Sequence, residues 1–170
     1  VVPMLNEAPG LPALLDHLLP LRRSGVEIIL ADGGSEDGSA AIATCAGFQV
    51  VRAERGRARQ MNAGAAQARA DVLLFLHADT RLPDGAVALV ESALASGRHA
   101  WGRFDVEFDL RTWTMDATAL GMNLRSRWSG IATGDQALFV TRAAFDAVGG
   151  FPDQPLMEDV EITSRLRRLS

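Results

Sequence analysis

Four groups of residues in this chain have the types and spacing to do chemistry. The first is His77-Ala78-Asp79, which closes the apolar run Val72-Leu73-Leu74-Phe75-Leu76. Mg²⁺ and Mn²⁺ prefer oxygen ligands and often take one or two carboxylates, with substrate phosphates completing the shell. Asp79 alone is therefore sufficient to start such a site. His77 reads as a second ligand, a residue standing behind the ligands or a core histidine, with the last two favoured. The second group is Asp32 with the turn Gly33-Gly34-Ser35-Glu36-Asp37-Gly38. An acid there can accept a bond from a ribose hydroxyl or a base N–H, and the same residues suit an ordinary turn with a helix cap. The third is Arg55, Arg57 and Arg59 at the start of a helix, where guanidinium groups and the helix terminus both favour phosphate. A solvated basic turn is the plainer account of them. The fourth is Glu158-Asp159, which either complements a helix dipole or supplies a base.

Several familiar chemistries are excluded on named residues. A phosphate-binding P-loop needs Lys after its second glycine, and position 39 is Ser. The G-x-G-x-x-G dinucleotide fingerprint is absent. No Ser/His/Asp arrangement stands out, and His17 and His99 are too isolated to suit zinc. If the chain is an enzyme, its base is a carboxylate. Trp101, Trp113 and Trp128 suit sugar stacking or, more commonly, core and interface anchoring.

Those groups must be positioned by something. The run 71–80 reads as a central strand of a parallel sheet, because it is apolar on both faces and bounded by polar residues. Ligands of such sheets bind outside the carboxyl ends of the strands, where His77 and Asp79 fall. Glu27 to Ala31 is a second such strand, ending at Asp32. Strands are also expected at 1–4 and 48–53, with helices over 11–23, 37–46, 55–69 and 83–95, Ser35 capping the second of them. This βαβαβαβα order predicts a parallel sheet covered by helices on both faces. Beyond residue 97, Trp101 to Asp109 alternates with period two and predicts a half-exposed strand. A helix is expected over 113–128, a strand over 135–140, a helix over 142–148 and a last helix over 157–169.

Composition sets the bounds. Seventeen basic and twenty-one acidic residues give a net charge of −4, which argues against a dedicated nucleic-acid binder. Cys45 is the one cysteine, so no internal disulfide forms and a reducing, cytoplasmic setting is expected. No apolar run approaches the roughly 20 residues of a membrane span. The chain opens inside a strand and stops inside a helix, so a fragment is expected, with sequence missing at least after its C-terminus.

Taken in order, Val2-Pro3-Met4-Leu5-Asn6-Glu7, Asp32 to Gly38, Gly56 to Gly64, His77-Ala78-Asp79-Thr80, Gly134-Asp135-Gln136, Gly149-Gly150-Phe151 and Met157 to Glu161 resemble the family 2 glycosyltransferases. These are inverting enzymes of the GT-A fold, an α/β fold with a mainly parallel central sheet, helices on both faces and a Rossmann-like N-terminal half. The Arg-rich motif together with His-Ala-Asp-Thr looks most like the bacterial arsenosugar-biosynthesis-type subgroup. The resemblance implies one domain over 1–170, with a nucleotide-binding half over about 1–97 and an acceptor-side half over about 98–170, truncated at the C-terminus. It implies that Pro3, Glu7 and Asp32 contact the nucleoside, that Arg57 and Arg59 face the phosphates, and that Asp135 lies near the donor sugar or acceptor. Asp79 is then the metal-binding acid, holding Mg²⁺ or Mn²⁺ against a nucleotide-diphosphate sugar, most often a UDP-sugar. Asp159 is the general base, with Glu158 supporting it or binding the acceptor. The acceptor is a glycan, a lipid or a small molecule, and a homodimer or a peripheral membrane contact would employ the exposed aromatics of the second half. The chain departs from the family at His77, where the metal motif D-x-D has its first acid.

Two rival readings remain at this level. A sugar-nucleotide nucleotidyltransferase would need a basic glycine-rich loop near the N-terminus, where this chain has Asn6-Glu7-Ala8-Pro9-Gly10. A non-catalytic nucleotide-sugar-binding domain is separated from an enzyme only by turnover.

Overall fold

The computed structural model describes residues 1–109 and 112–169. Leu110, Arg111 and Ser170 lie outside the described residues. Three strands, β1 (Val2–Met4), β2 (Ile29–Asp32) and β3 (Gln49–Arg52), pair in parallel in the order β1-β2-β3. A second group, β4 (Val72–Leu74), β5 (Trp101–Gly102) and β6 (Phe139–Thr141), pairs antiparallel in the order β4-β6-β5. The two groups join into one sheet at β1. The Val1 nitrogen donates to the Leu74 carbonyl at 2.7 Å, and the Leu76 N–H donates to the Val1 carbonyl at 3.0 Å. The spatial order is therefore β3-β2-β1-β4-β6-β5. β1 and β2 are buried on both faces, as their continuous apolar sequence requires.

Helices cover both faces. α1 (Leu11–Arg23) carries Leu11, Leu14, Leu15 and Leu18 at helical spacing, and all four are buried. Together with α2 (Ser39–Cys45) it packs on one face, against Val2, Met4, Leu30, Phe48 and Leu76. On the other face, α3 (Arg57–Gln67), α6 (Arg142–Ala147) and α7 (Glu158–Arg167) enclose Leu73, Phe75 and Val140. Phe75, Phe145 and Phe151 form an aromatic knot there, with ring centroids 4.8 to 5.9 Å apart. α4 (Ala86–Leu94) and α5 (Trp113–Ser129) complete the set.

Three expectations are corrected. The period-two stretch 101–109 forms a strand only at Trp101 and Gly102, because the ladder to β6 ends there. Val106 instead pairs with the Asn123 side chain of α5, its N–H donating at 2.8 Å and its carbonyl accepting at 3.0 Å. The expected strand 135–140 begins with a 3₁₀ turn over Gly134–Gln136, and only its end joins the sheet. Ser35 does not cap α2. That helix starts at Ser39, behind Gly38 with φ at +90°, while the Ser35 hydroxyl donates to Asp32 at 2.5 Å.

Candidate active site

The carboxyl ends of β1 and β4 and the segment that leads from β3 into α3 open onto one cleft. Its volume is about 290 Å³, and its walls are Pro3, Met4, Leu5, Glu7, Arg55, Gly56, Arg57, Gln60, His77, Ala78 and Asp79. The strands deliver these residues because each run of buried apolar side chains stops at the sheet edge. Loop β1–α1 is bolted to loop β2–α2 by side-chain bonds. Asn6 N–H donates to Ser35 Oγ, Glu7 N–H to Ser39 Oγ and Ala8 N–H to Asp37 Oδ2, each at 2.9 Å. Those bonds fix Glu7 at the cleft rim. From α3, the buried Gln60 amide donates to the carbonyls of Met4 (2.7 Å) and Ala31 (2.9 Å). It ties the ends of β1 and β2 to the helix that carries the arginines.

His77, Asp79 and Asp135 meet at the floor. Their nearest ligating atoms all lie within 4.8 Å of one another, and His77 Nδ1 is 3.6 Å from Asp135 Oδ1. The imidazole is mostly enclosed, with 12% of its side chain exposed, whereas Asp135 is open. Burial holds the His77 pKa below its ordinary value, and the nearby Arg57 cation pushes the same way against the partial opposition of Asp135, Asp79 and Asp159. A neutral imidazole beside two carboxylates is a donor set for a divalent cation. The structure thus draws His77 into the group that sequence reading had centred on Asp79 alone.

Gly134 links this floor to α7. The His77 ring lies so close to it that a Cβ on Gly134 would stand 1.9 Å from His77 Cε1. The Gly134 N–H donates to Asp159 Oδ2 in a short bond. The other carboxylate oxygen of Asp159 accepts from Val160 N–H at 2.8 Å. Glu158 next to it is 2% exposed. Its Oε1 lies 3.5 Å from Arg57 Nη1, an ion pair that lacks a hydrogen bond, and that buried oxygen has no other partner among the described residues. A second cavity of about 330 Å³ shares Asp79 with the cleft and is walled by Thr80, Arg81, Phe104, Val106 and Asp135 among others.

Of the residues singled out in the sequence, Pro3, Glu7, Arg57 and Asp79 line the cleft, Asp135 joins Asp79 across the second cavity, and Glu158 and Asp159 close the far side. Two do not join them. Arg59 turns away and grips Asp153 with two bonds of 2.8 Å, while Nη1 bonds Glu54 at 2.9 Å. The reason is helical: positions 57 and 59 are about 200° apart around α3, so they cannot face the same way. Arg55, just ahead of the helix, takes the expected place of Arg59 in the wall. Asp32 is 6% exposed, and its carboxylate is taken up by Gly34 N–H, Ser35 N–H and the Ser35 hydroxyl. It organises the turn and is not part of the cleft wall. Gln60 and Gly134 were missed as site residues. Gln60 falls within the family-like stretch Gly56 to Gly64, as a polar residue at a core-facing position between Ala58 and Met61.

Residues 1–151 match the family model described as "Glycosyl transferase family 2". The succinoglycan biosynthesis protein ExoA of Rhizobium meliloti (strain 1021) is 35% identical over 107 residues, covering 57% of this chain and 32% of ExoA. The mannosyltransferase PcManGT from Pyrobaculum calidifontis, solved with GDP-Man and Mn²⁺, superposes with a TM-score of 0.74 at 20% identity, covering 97% of this chain and 50% of that one. TarS 1–349 of S. aureus, solved with UDP-GlcNAc, gives 0.75 at 16% identity, covering 97% and 51%. At these identities the structural likeness is one of fold, the GT-A fold. The chain spans about a third of the length of ExoA and about half of the solved chains.

Proposed function

We propose a function that proceeds from one premise: this chain belongs to glycosyl transferase family 2. It moves a sugar from a nucleotide-diphosphate sugar to the hydroxyl of an acceptor, with inversion at the anomeric carbon. The observation that carries this reading is the meeting of His77, Asp79 and Asp135 beneath Arg55 and Arg57, with Asp159 joined to the same floor through Gly134. UDP is the favoured nucleotide, in keeping with the UDP-GlcNAc held by TarS, although PcManGT holds GDP-Man. The Arg-rich motif and His77-Ala78-Asp79-Thr80 support membership of the arsenosugar-biosynthesis-type subgroup, without naming its acceptor. A division into a nucleotide-binding half over about 1–97 and an acceptor-side half over about 98–170 fits the same reading, as does a cytoplasmic setting. No helix among the described residues is long and apolar enough to cross a membrane.

The residues divide the work as follows. Pro3 and Glu7 line the nucleoside end of the cleft. Arg55 and Arg57 face the diphosphate and neutralise the charge that grows on it as it leaves, which is usually the largest electrostatic contribution to such a reaction. His77, Asp79 and Asp135 hold Mg²⁺ or Mn²⁺, which when bound supplies further positive charge to the diphosphate. The acceptor oxygen attacks the anomeric carbon opposite the leaving group. Its proton goes to the Asp159 carboxylate, the new C–O bond forms, and the electrons of the old one leave on the nucleotide diphosphate. Such a base contributes about 10²–10⁴-fold. Glu158, paired with Arg57, holds that guanidinium beside the cleft and supports the acceptor side.

The test is turnover. The protein is incubated with Mn²⁺, a panel of UDP-, GDP- and dTDP-sugars and a panel of hydroxyl acceptors, and nucleotide release is followed beside product anomeric configuration by NMR. Release of one nucleotide with inverted product, lost in Asp159→Asn, supports the reading. Tight nucleotide-sugar binding with no transfer to any acceptor and no hydrolysis favours a non-catalytic binding domain instead.

A further inference from the structure

Helix α5 wears its apolar face on the wrong side for a soluble protein. Trp113 is 82% exposed, Leu120 59%, Leu124 54% and Trp128 96%. Successive residues of a helix turn by about 100°, so these four fall within an arc of about 80°, with Ala117 inside it. The only buried residues of α5, Ala119 and Ser126, lie about 150° away around the helix. An amphipathic helix of a globular protein turns its apolar stripe to the core. Here the stripe points directly outward along about 25 Å of helix. The inner side is firmly held: the Asn123 side chain clasps both backbone groups of Val106, and Arg167 from α7 donates to the Ser129 carbonyl.

The charges beside the stripe identify what covers it. α5 contains one carboxylate, Asp116, against Arg125 and Arg127 on opposite flanks of the stripe. The end of α7, joined to the end of α5, adds Arg167, Arg168 and the exposed Leu169. Arg127 pairs with Asp105, and the remaining cations have no carboxylate of their own on this face among the described residues. A second copy docked on the same face would bring them only its own Asp116 and an Asp105 already paired with Arg103 and Arg127. A flat anionic surface answers both features, since tryptophan at each end of an apolar stripe with arginine along its edges is the pattern of a helix lying in a bilayer interface.

We propose that α5 and the end of α7 form a docking surface for an anionic lipid bilayer. Trp113, Leu120, Leu124 and Trp128 enter the headgroup boundary, while Arg125, Arg167 and Arg168 meet lipid phosphates. This inference goes beyond the sugar-transfer reading and does not depend on it. It would also set the second cavity near the membrane surface, because Val106, clasped by α5, is part of that cavity's wall.

The test is co-sedimentation with vesicles of phosphatidylcholine alone and of phosphatidylcholine mixed equally with phosphatidylglycerol. Tryptophan emission and the oligomeric state by light scattering are read on the same samples. The expected result is binding to the mixed vesicles that weakens with salt, with emission shifted to the blue. The double variant Trp113→Ser/Trp128→Ser, which alters only exposed side chains, should lose at least about tenfold in partitioning with an unchanged circular dichroism spectrum. Arg125→Glu/Arg168→Glu should abolish the preference for the anionic vesicles while leaving the fold intact. Three results overturn the proposal: no vesicle binding by the folded chain, binding unaffected by both double variants, or a dimer that the Trp variant dissolves and that ignores vesicles. Vesicle binding by this chain that vanishes in a longer form of the protein would also overturn it, since the face would then belong to an intrachain contact.

Discussion

Replacing Gly134 with Ala should damage the floor of the cleft out of proportion to one methyl group. The added Cβ would stand 1.9 Å from His77 Cε1, 2.4 Å from Nε2 and 2.9 Å from Nδ1, all well inside ordinary contact. The φ of Gly134 is not in the left-handed range, so the backbone itself accepts alanine and the whole cost comes from the collision. Two escapes exist. If the His77 ring rotates away, it takes its nitrogen from Asp79 and Asp135. If the backbone at 134 retreats, the N–H leaves Asp159. Overpacking of this kind costs about 1–3 kcal/mol, which for a domain of this size lowers Tm by about 2–12 °C. Disturbing a residue that orients a metal ligand typically weakens metal binding by about 10–100-fold. The assay pairs thermal unfolding with Mn²⁺ titration for Gly134→Ala, His77→Ala and the double variant. The two changes should be strongly non-additive: His77→Ala should recover most of the lost stability and none of the lost metal affinity. A Gly134→Ala protein with unchanged Tm and unchanged Mn²⁺ affinity would show that the His77–Gly134 packing does not hold the floor in place. So would a double variant whose losses simply add.

Other expectations follow from the same geometry. Arg57→Ala should weaken nucleotide-diphosphate binding measured by calorimetry, whereas Arg59→Ala, whose guanidinium is engaged with Asp153 and Glu54, should leave it unchanged. Gln60→Leu strips a donor from the buried Met4 and Ala31 carbonyls and should cost about 1–3 kcal/mol in urea unfolding. In metal-free protein, the depressed His77 pKa means that the unfolded chain binds the proton more readily. Its contribution to stability is therefore present above the ordinary value of 6.5 and lost as pH falls below it. Urea midpoints at pH 7.5 and 5.5 should separate more for the parent than for His77→Gln.

Some of this site is legible in the sequence because one physical cause controls it. A long apolar run is expected to be a central strand, and its end then lies at the sheet edge, so His77 and Asp79 could be placed from residues 71–80 alone, although Val72 at the start of the run stays 38% exposed. The acids at 158 and 159 likewise mark a helix start. Other features depend on relations that a linear pattern does not encode. Strand direction is one: nothing in Leu138-Phe139-Val140 says that β6 runs antiparallel to β4. The alternation of 101–109 suggests a strand, yet the ladder to β6 stops at Gly102, one further bond runs from Phe104 N–H to the Gln136 carbonyl, and beyond it Asn123 of α5 takes up Val106. Arg57 and Arg59 look equivalent in the sequence until the turn of the helix separates them. Asp32 looks available for a ligand until its own turn consumes both carboxylate oxygens. The packing of His77 on Gly134 joins residues far apart in sequence, so it became visible only in three dimensions.

In the proposed reaction His77, Asp79 and Asp135 form a metal site that anchors a nucleotide diphosphate. Calorimetric titration of UDP, GDP and dTDP, each with and without Mn²⁺, into the parent chain and its Asp79→Ala variant tests it most directly. One nucleotide, with UDP favoured, should bind in a Mn²⁺-dependent way, and Asp79→Ala should abolish this while the protein stays folded. Nucleotide binding that is indifferent to both Mn²⁺ and Asp79, or no binding by a folded chain, would contradict it.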